Sequence, residues 1–454
     1  MHTITFISVV LLYLISVMWG LDSLASAISL LSIVAILISI PRSSRLAQSL
    51  SLLFLLSGTW MLWSKHVGWH SYLTSFGGML NLLTLFTMIP FLALPITLGG
   101  YGSAVEHVLH HRVNTPQQLY RTISGLAFFL SSFLNLATLP MMYYSVKDTV
   151  AQFGIRDVKR FTSLGIIHGY ALPILWTPVA PIVGIVMDLT KVNWLQMFPL
   201  LFGISVCGLV LDWILNSRID PEKAIVQREL AAAVESSFNR EVHASKRKLV
   251  QIAFSITLFI TLIILLEWLF PFGLVITVAL TSFPYAALWA ILLRQSRGFM
   301  QGVRNHISQQ IPKMAEQFAI FLSAGFFVKA LQLSGYSEII NRLVLQIEHS
   351  IGVELFLILL PLFPLFLAYL GMHPVVAITL LAQSLNPAAL AVSAEGLTIA
   401  LLGGAVATFI MGPFNATLGI MSSITKESAY RISVWSWPFT ICFLSMLLLI
   451  LLIL

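Results

Sequence analysis

Four short stretches of this sequence combine a helix-breaking residue with hydroxyl, amide or imidazole side chains. They are Ser131-Ser132 through Asn135 and Thr138, Gly371-Met372-His373-Pro374, Trp176-Thr177-Pro178, and Gly412-Pro413-Phe414-Asn415-Ala416-Thr417, with Thr408 just upstream of the last. Each interrupts an apolar run. A helix broken in an apolar medium leaves N–H groups unpaired at one end and carbonyls at the other. The N–H end suits an anion and the carbonyl end a cation. The chemistry on offer is therefore binding of a solute or ion. The candidate binding residues are Ser131, Ser132, Asn135, Thr138, Thr177, Pro178, Gly371, His373, Pro374, Thr408, Gly412, Pro413, Asn415 and Thr417. An imidazole at membrane depth is costly and changes charge near neutral pH. His373, and after it His168, are the candidates for proton coupling. Each residue also has a plainer reading. Asn135 and Asn415 would cap half-helices, a neutral histidine would bond a carbonyl, and the hydroxyls would bond back to their own helices.

Other chemistries are poorly served. Asp188, Asp212 and Glu267 lie near the ends of apolar runs, and Asp212, one turn before Asn216 and Arg218, is expected at the interface. No paired carboxylates fall at mid-membrane. His66-x-x-x-His70 and His107-x-x-His110-His111 look like two boxes of a desaturase or hydroxylase, but there is no third box. The plainer reading of Glu106–His111 is an amphipathic interfacial helix. A channel would need a continuous polar face, which no span shows. No Gly-x-x-x-x-Gly-Lys-Ser/Thr loop is present, so energy must come from a gradient or a partner. The two cysteines, Cys207 and Cys442, form no disulfide or zinc framework. No enzymatic activity, metal or cofactor is expected.

The elements that carry these residues must be membrane spans. The chain has 454 residues, 58% hydrophobic and 9% charged, whereas soluble domains carry roughly 25% charged residues. Candidate spans are 4–19, 24–40, 48–64, 77–98, 163–190, 196–216, 249–267, 271–293, 314–333, 398–424 and 434–454. Two further apolar stretches, 122–147 and 354–386, are interrupted near their middles. Residues 4–19 read as a retained first helix rather than a signal peptide. The net charge of +7 resides in loops, so it reports membrane orientation and not a nucleic-acid partner.

The halves repeat. Gly100-Tyr101 matches Gly335-Tyr336 at an offset of 235, and Pro178, Gly184, Thr190 and Lys191 match Pro413, Gly419, Thr425 and Lys426 at the same offset. Segment 147–160 carries Lys147, Arg156, Lys159 and Arg160, while its counterpart 382–395 carries no Lys or Arg. Segment 294–313 carries four basic residues and its counterpart 59–78 only Lys65. Opposite bias predicts opposite sides of the membrane. The expected fold is an all-α polytopic membrane protein: two inverted-topology repeats, with re-entrant hairpins at 122–147 and 354–386 and broken transmembrane helices. The expected organisation is an N-terminal half, 1–216, with an extra first helix; a cytoplasmic linker, 217–248; and a C-terminal half, 249–454. This places the N-terminus in the cytoplasm and the C-terminus outside a cell membrane. Such architecture points to a secondary transporter with a midplane site.

The order of elements resembles the ion transporter superfamily, which includes arsenite permeases, sodium/proton antiporters and citrate or dicarboxylate carriers. Gly403, Gly404, Thr408 and Asn415 look like its Gly-Gly-x-x-x-Thr-x-x-x-x-x-x-Asn broken helix, and Ala429-Tyr430-Arg431-Ile432-Ser433-Val434-Trp435 is similar to its last re-entry. Ser131–Thr138 looks like its first hairpin tip, with Asn135 where permeases carry Asp. The resemblance implies an ion-coupled permease, driven by protons or sodium, and the half-helix N-termini with their hydroxyl and amide donors at the breaks suit a small anionic solute. A cation/proton antiporter of the same fold is the alternative. The resemblance also implies a homodimer formed through spans 24–64 and 249–293.

Overall fold

Backbone groups in hydrocarbon find no water, so a chain this apolar must satisfy them within helices. The computed structural model describes residues 2–101, 113–216, 239–270, 272–384 and 392–453, and no strand occurs among them. The protein is an all-α polytopic membrane protein, with 11 described helices long and apolar enough to cross a bilayer. The number equals the expected count, but the membership differs. Pro116–Gln152, expected as a hairpin, is among the 11. The expected span 163–190 is instead two short helices, Val158–Ala171 and Pro181–Thr190. The first begins earlier than hydropathy indicates because the Asp157 side chain caps it, accepting from the Arg160 N–H. The histidines 107–111, the linker residues 217–238 and residues 385–391 lie outside the described residues.

Each of the two hairpins turns on one residue with positive φ. In hairpin 1, Pro116–Leu134 and Thr138–Gln152 meet at Asn135, whose φ is 50° and ψ −135°. In hairpin 2, Leu362–Tyr369 and Pro374–Ser384 meet at Gly371, with φ 91°. In each hairpin the two arms pack on one another. The two broken spans follow their hairpins: Val158–Ala171 with Pro181–Thr190, and Ala394–Met411 with Ala416–Thr425. Their matching parts sit 235 residues apart. Pro181–Thr190 corresponds to Ala416–Thr425, and Leu80–Leu98 to the helix Ala315–Leu333. Both second halves end on a left-handed lysine, Lys191 and Lys426, each with φ 59°. Gly100 and Gly335 are likewise both left-handed.

The broken spans run antiparallel. Lys159, at the start of span 1, bonds Glu427, just past the end of span 2, at 2.8 Å. Thr190, the last residue of span 1, accepts from Thr398 near the start of span 2 at 2.9 Å. The second arm of hairpin 1 packs on the second half of span 2, and the second arm of hairpin 2 on the second half of span 1. The repeats are thereby interlocked around the four breaks. Outside them, Arg45–Ser64, Ala25–Ser39 and Ala315–Leu333 pack into a separate scaffold layer, with Leu274–Leu292 against Leu80–Leu98.

Candidate functional site

The helix interruptions converge. A cavity of about 180 Å³ is walled by Leu134 through Ala137 of tip 1, by His373 and Val375 of tip 2, by Tyr170, Ile174 and Ala180 through Ile182 of span 1, and by Phe409 and Ala416 of span 2. Phe86, Ile89, Pro90 and Ala93 close one side. A larger open hollow of about 780 Å³ lies against Arg297, Gln301 and Arg304 on Ser296–Asn305 and includes none of the break residues. The 180 Å³ enclosure is close to the roughly 150 Å³ that holds a benzene ring in an engineered protein cavity. Among the described residues its walls carry no Asp, Glu, Lys or Arg.

Of the sequence candidates, only Asn135 and His373 line this cavity. The Asn135 carboxamide oxygen accepts from the Tyr170 hydroxyl at 3.2 Å, joining tip 1 to span 1. Asn135 caps no half-helix with its side chain: Ala137 is the N-cap residue of Thr138–Gln152 and makes no side-chain bond. His373 Nδ1 accepts from the Val375 N–H at 3.3 Å and so caps the second arm of its hairpin, leaving Nε2 as the protonated ring nitrogen.

The other candidates hold the breaks together. Ser131 bonds the Phe128 carbonyl, Ser132 that of Phe129 and Thr408 that of Gly404, each within its own helix. Thr177 donates to the Ser132 carbonyl at 2.5 Å, tying span 1 to hairpin 1. Asn415 donates to the Thr408 and Phe409 carbonyls at 2.7 and 3.1 Å and accepts from the Leu418 N–H at 2.8 Å. It is the cap its sequence position allowed. Thr138 is buried, and Thr417, also buried, lies beside the Tyr170 hydroxyl. Gly371 makes the tip turn, Pro374 opens its helix, and Pro178, Gly412 and Pro413 form the non-helical links.

Three of the carbonyls freed at the breaks have side-chain donors. Ser205 serves Leu172, the Trp194 indole serves Trp176, and Ser433 serves Met411. The N-terminus of Pro181–Thr190 is different: Ala180, its N-cap, makes no side-chain bond, and Ala180, Pro181 and Ile182 all lie on the cavity wall. Sequence reading missed Tyr170 and this alanine. Neither carried a signal, since a tyrosine among apolar residues and an alanine before a proline are ordinary.

His168 lies outside the cavity, buried against Asp212. Asp212, in the last turn of Trp194–Leu215, is fully buried, and Tyr120 and Asn216 give its carboxylate the partners that water would. His66 and His70 are exposed. Among the described residues no three His, Cys, Asp or Glu side chains group as a metal site would.

No family model matches the chain, and no curated protein matches it in sequence. Among solved structures, it is similar to the Alcanivorax borkumensis YdaH transporter, whose crystal structure is described as having an unusual topology. The TM-score is 0.61, with 14% identity over 88% of this chain and 97% of that one. The chain therefore shares the all-helical fold of a membrane transporter over nearly its whole length.

Proposed function

We propose that this protein is an ion-coupled secondary carrier that moves a small anionic solute across the cytoplasmic membrane by alternating access. The observation that carries the reading is the convergence of both tips and both broken spans on one cavity. Irregular backbone at membrane depth is tolerated where it lines such a volume, and carriers built from inverted repeats bind there. Anion preference rests on the uncapped N-terminus at Ala180, which carries positive partial charge, and on the donors already held by the Leu172, Trp176 and Met411 carbonyls. The apolar walls favour a solute with one anionic group and an apolar body, such as a monocarboxylate. The imidazole on the cavity wall is that of His373. Protonating Nδ1 would remove the acceptor of the Val375 N–H and free that helix end for the anion.

In this reading the 217–248 linker and N-terminus are cytoplasmic, the C-terminus is outside, and spans 24–64 and 249–293 form a homodimer. The test is uptake by purified protein in proteoliposomes, offered small carboxylates under imposed proton or sodium gradients. Gradient-dependent accumulation of a monocarboxylate, cut roughly tenfold (about 1.4 kcal/mol) in Tyr170→Phe, is expected. Accumulation of a cation in exchange for protons would instead establish the antiporter alternative.

A further inference from the structure

A polar cluster lies outside the cavity. His168, in the first half of span 1, and Asp212, on Trp194–Leu215, are 1% and 0% exposed. One oxygen of Asp212, Oδ1, accepts from His168 Nδ1 at 2.7 Å, from the Tyr120 hydroxyl at 2.9 Å and from Asn216 Nδ2 at 2.8 Å. Three donors on one oxygen fit an ionised carboxylate and place the imidazole proton on Nδ1. The other two polar atoms, Asp212 Oδ2 and His168 Nε2, are buried and meet no hydrogen-bond partner among the described residues. Among the described residues no Lys or Arg pairs with Asp212.

A neutral imidazole beside a carboxylate leaves one negative charge without a counter-charge. Buried and unpaired, such a charge is costly. One proton cancels it, on Nε2 to give imidazolium and carboxylate, or on Oδ2 to give two neutral groups. Both atoms are vacant for it. Among the described residues the surroundings supply no competing charge in contact. From hairpin 1 the titratable neighbour is Tyr120, and Trp437–Ile453 contributes the Phe439 ring, stacked on the imidazole at 4.2 Å. The charged side chains on other elements packed against Val158–Ala171, namely Lys147, Asp148, Glu395, Lys426 and Arg431, are exposed, as is Arg121 beside Tyr120.

We propose that His168 and Asp212 form a one-proton binding site, separate from the solute cavity, through which the carrier is coupled to the proton gradient. Its coupling role rests on the carrier reading; its existence as a proton site does not. Through one oxygen, Asp212 ties together hairpin 1, span 1 and Trp194–Leu215. His168 is two residues from Tyr170, whose hydroxyl holds Asn135 on the cavity wall. One helical turn therefore carries both the proton site and a wall of the solute site. A proton that changes the bonds of His168 changes the setting of Tyr170, and by linkage the solute changes proton affinity in return.

The test is infrared difference spectroscopy of the full-length protein in liposomes, titrated with pH without added solute, for wild type, Asp212→Asn, His168→Gln and His373→Gln. In wild type, imidazole and carboxyl bands should titrate together as one step belonging to the pair. That joint step should vanish in Asp212→Asn and in His168→Gln and persist in His373→Gln. If one variant misfolds, the other decides. The same step in wild type and both cluster variants would overturn the site. A second readout is the pH profile of uptake: a profile in His168→Gln identical to wild type would overturn the coupling role. Absence of any uptake in wild type would overturn the carrier reading, with the infrared result still deciding whether the proton site exists.

Discussion

Lys159 Nζ and Glu427 Oε1 lie 2.8 Å apart, joining the start of one broken span to the end of the other. Arg431 adds a second contact to Glu427 at 3.0 Å. The Lys159 hydrogen bond, with the Arg431 and Lys159 charges behind it, holds the Glu427 carboxyl below the usual carboxylate range. A carboxyl whose folded pKa is depressed contributes stability above its unfolded value and loses it as pH falls through the folded one. The contact is therefore expected to be constant near neutrality and to weaken in acid below about pH 4.3. Thermal unfolding in detergent against pH should show a smaller acid loss in Glu427→Gln than in wild type. Identical acid limbs would show that the pair does not join the repeats in solution.

Gly169 and Gly404, 235 positions apart, make equivalent close approaches. A Cβ on Gly169 would run into the Ser124 carbonyl oxygen of hairpin 1, and one on Gly404 would lie 2.7 Å from that of Pro361, just before the first arm of hairpin 2. Backbone cannot yield as a flexible side chain can. Gly169→Ala and Gly404→Ala should each cost about 1–3 kcal/mol, measured as lost thermal stability. A neutral result in both would mean the spans pack less closely on their hairpins.

Asn135 holds a backbone conformation natural to glycine, at a cost of about 1–3 kcal/mol, and returns about 1 kcal/mol through the Tyr170 bond. Asn135→Gly should be neutral or stabilising in thermal unfolding, while Asn135→Ala keeps the strain and leaves the Tyr170 hydroxyl without its acceptor. Both should impair uptake. Greater stability of the alanine variant would contradict the strain at this tip.

Sidedness follows from the antiparallel spans. Lys147 belongs to the end of the fold that holds the Lys159–Glu427 pair, and Ser393 to the end that holds Thr190 and Thr398. Single cysteines at the two positions should react with impermeant reagent from opposite sides of the membrane. Reaction of both from one side would contradict the inverted arrangement.

The breaks were legible in the sequence because proline, glycine and asparagine within apolar runs have few other uses. The repeat was legible in Gly100-Tyr101 and Gly335-Tyr336 because left-handed turns restrict residue choice. Hydroxyl roles were not legible. Ser131, Ser132 and Thr408 satisfy carbonyls three or four residues back, and nothing in sequence separates such a side chain from one facing a cavity. The partners of Asp212 were not legible, because distance along the chain from Arg218 says nothing about Tyr120, 92 residues earlier. The start of span 1 was misplaced because hydropathy discounts Lys159 and Arg160, although the Asp157 cap sets the helix start.

The shared cavity is tested most directly by solute protection of cysteines placed on its four walls. Ala137, Ala180, Val375 and Ala416 come one each from tip 1, span 1, tip 2 and span 2. Each is changed singly to cysteine in a background where Cys207 and Cys442 are serine, and modification by a small water-soluble thiol reagent is timed with and without a transported solute. All four should be slowed by the solute, while a cysteine at Gly203, outside the cavity, should not be. Protection at one tip alone, or at none of the four, would contradict a single site built from both repeats.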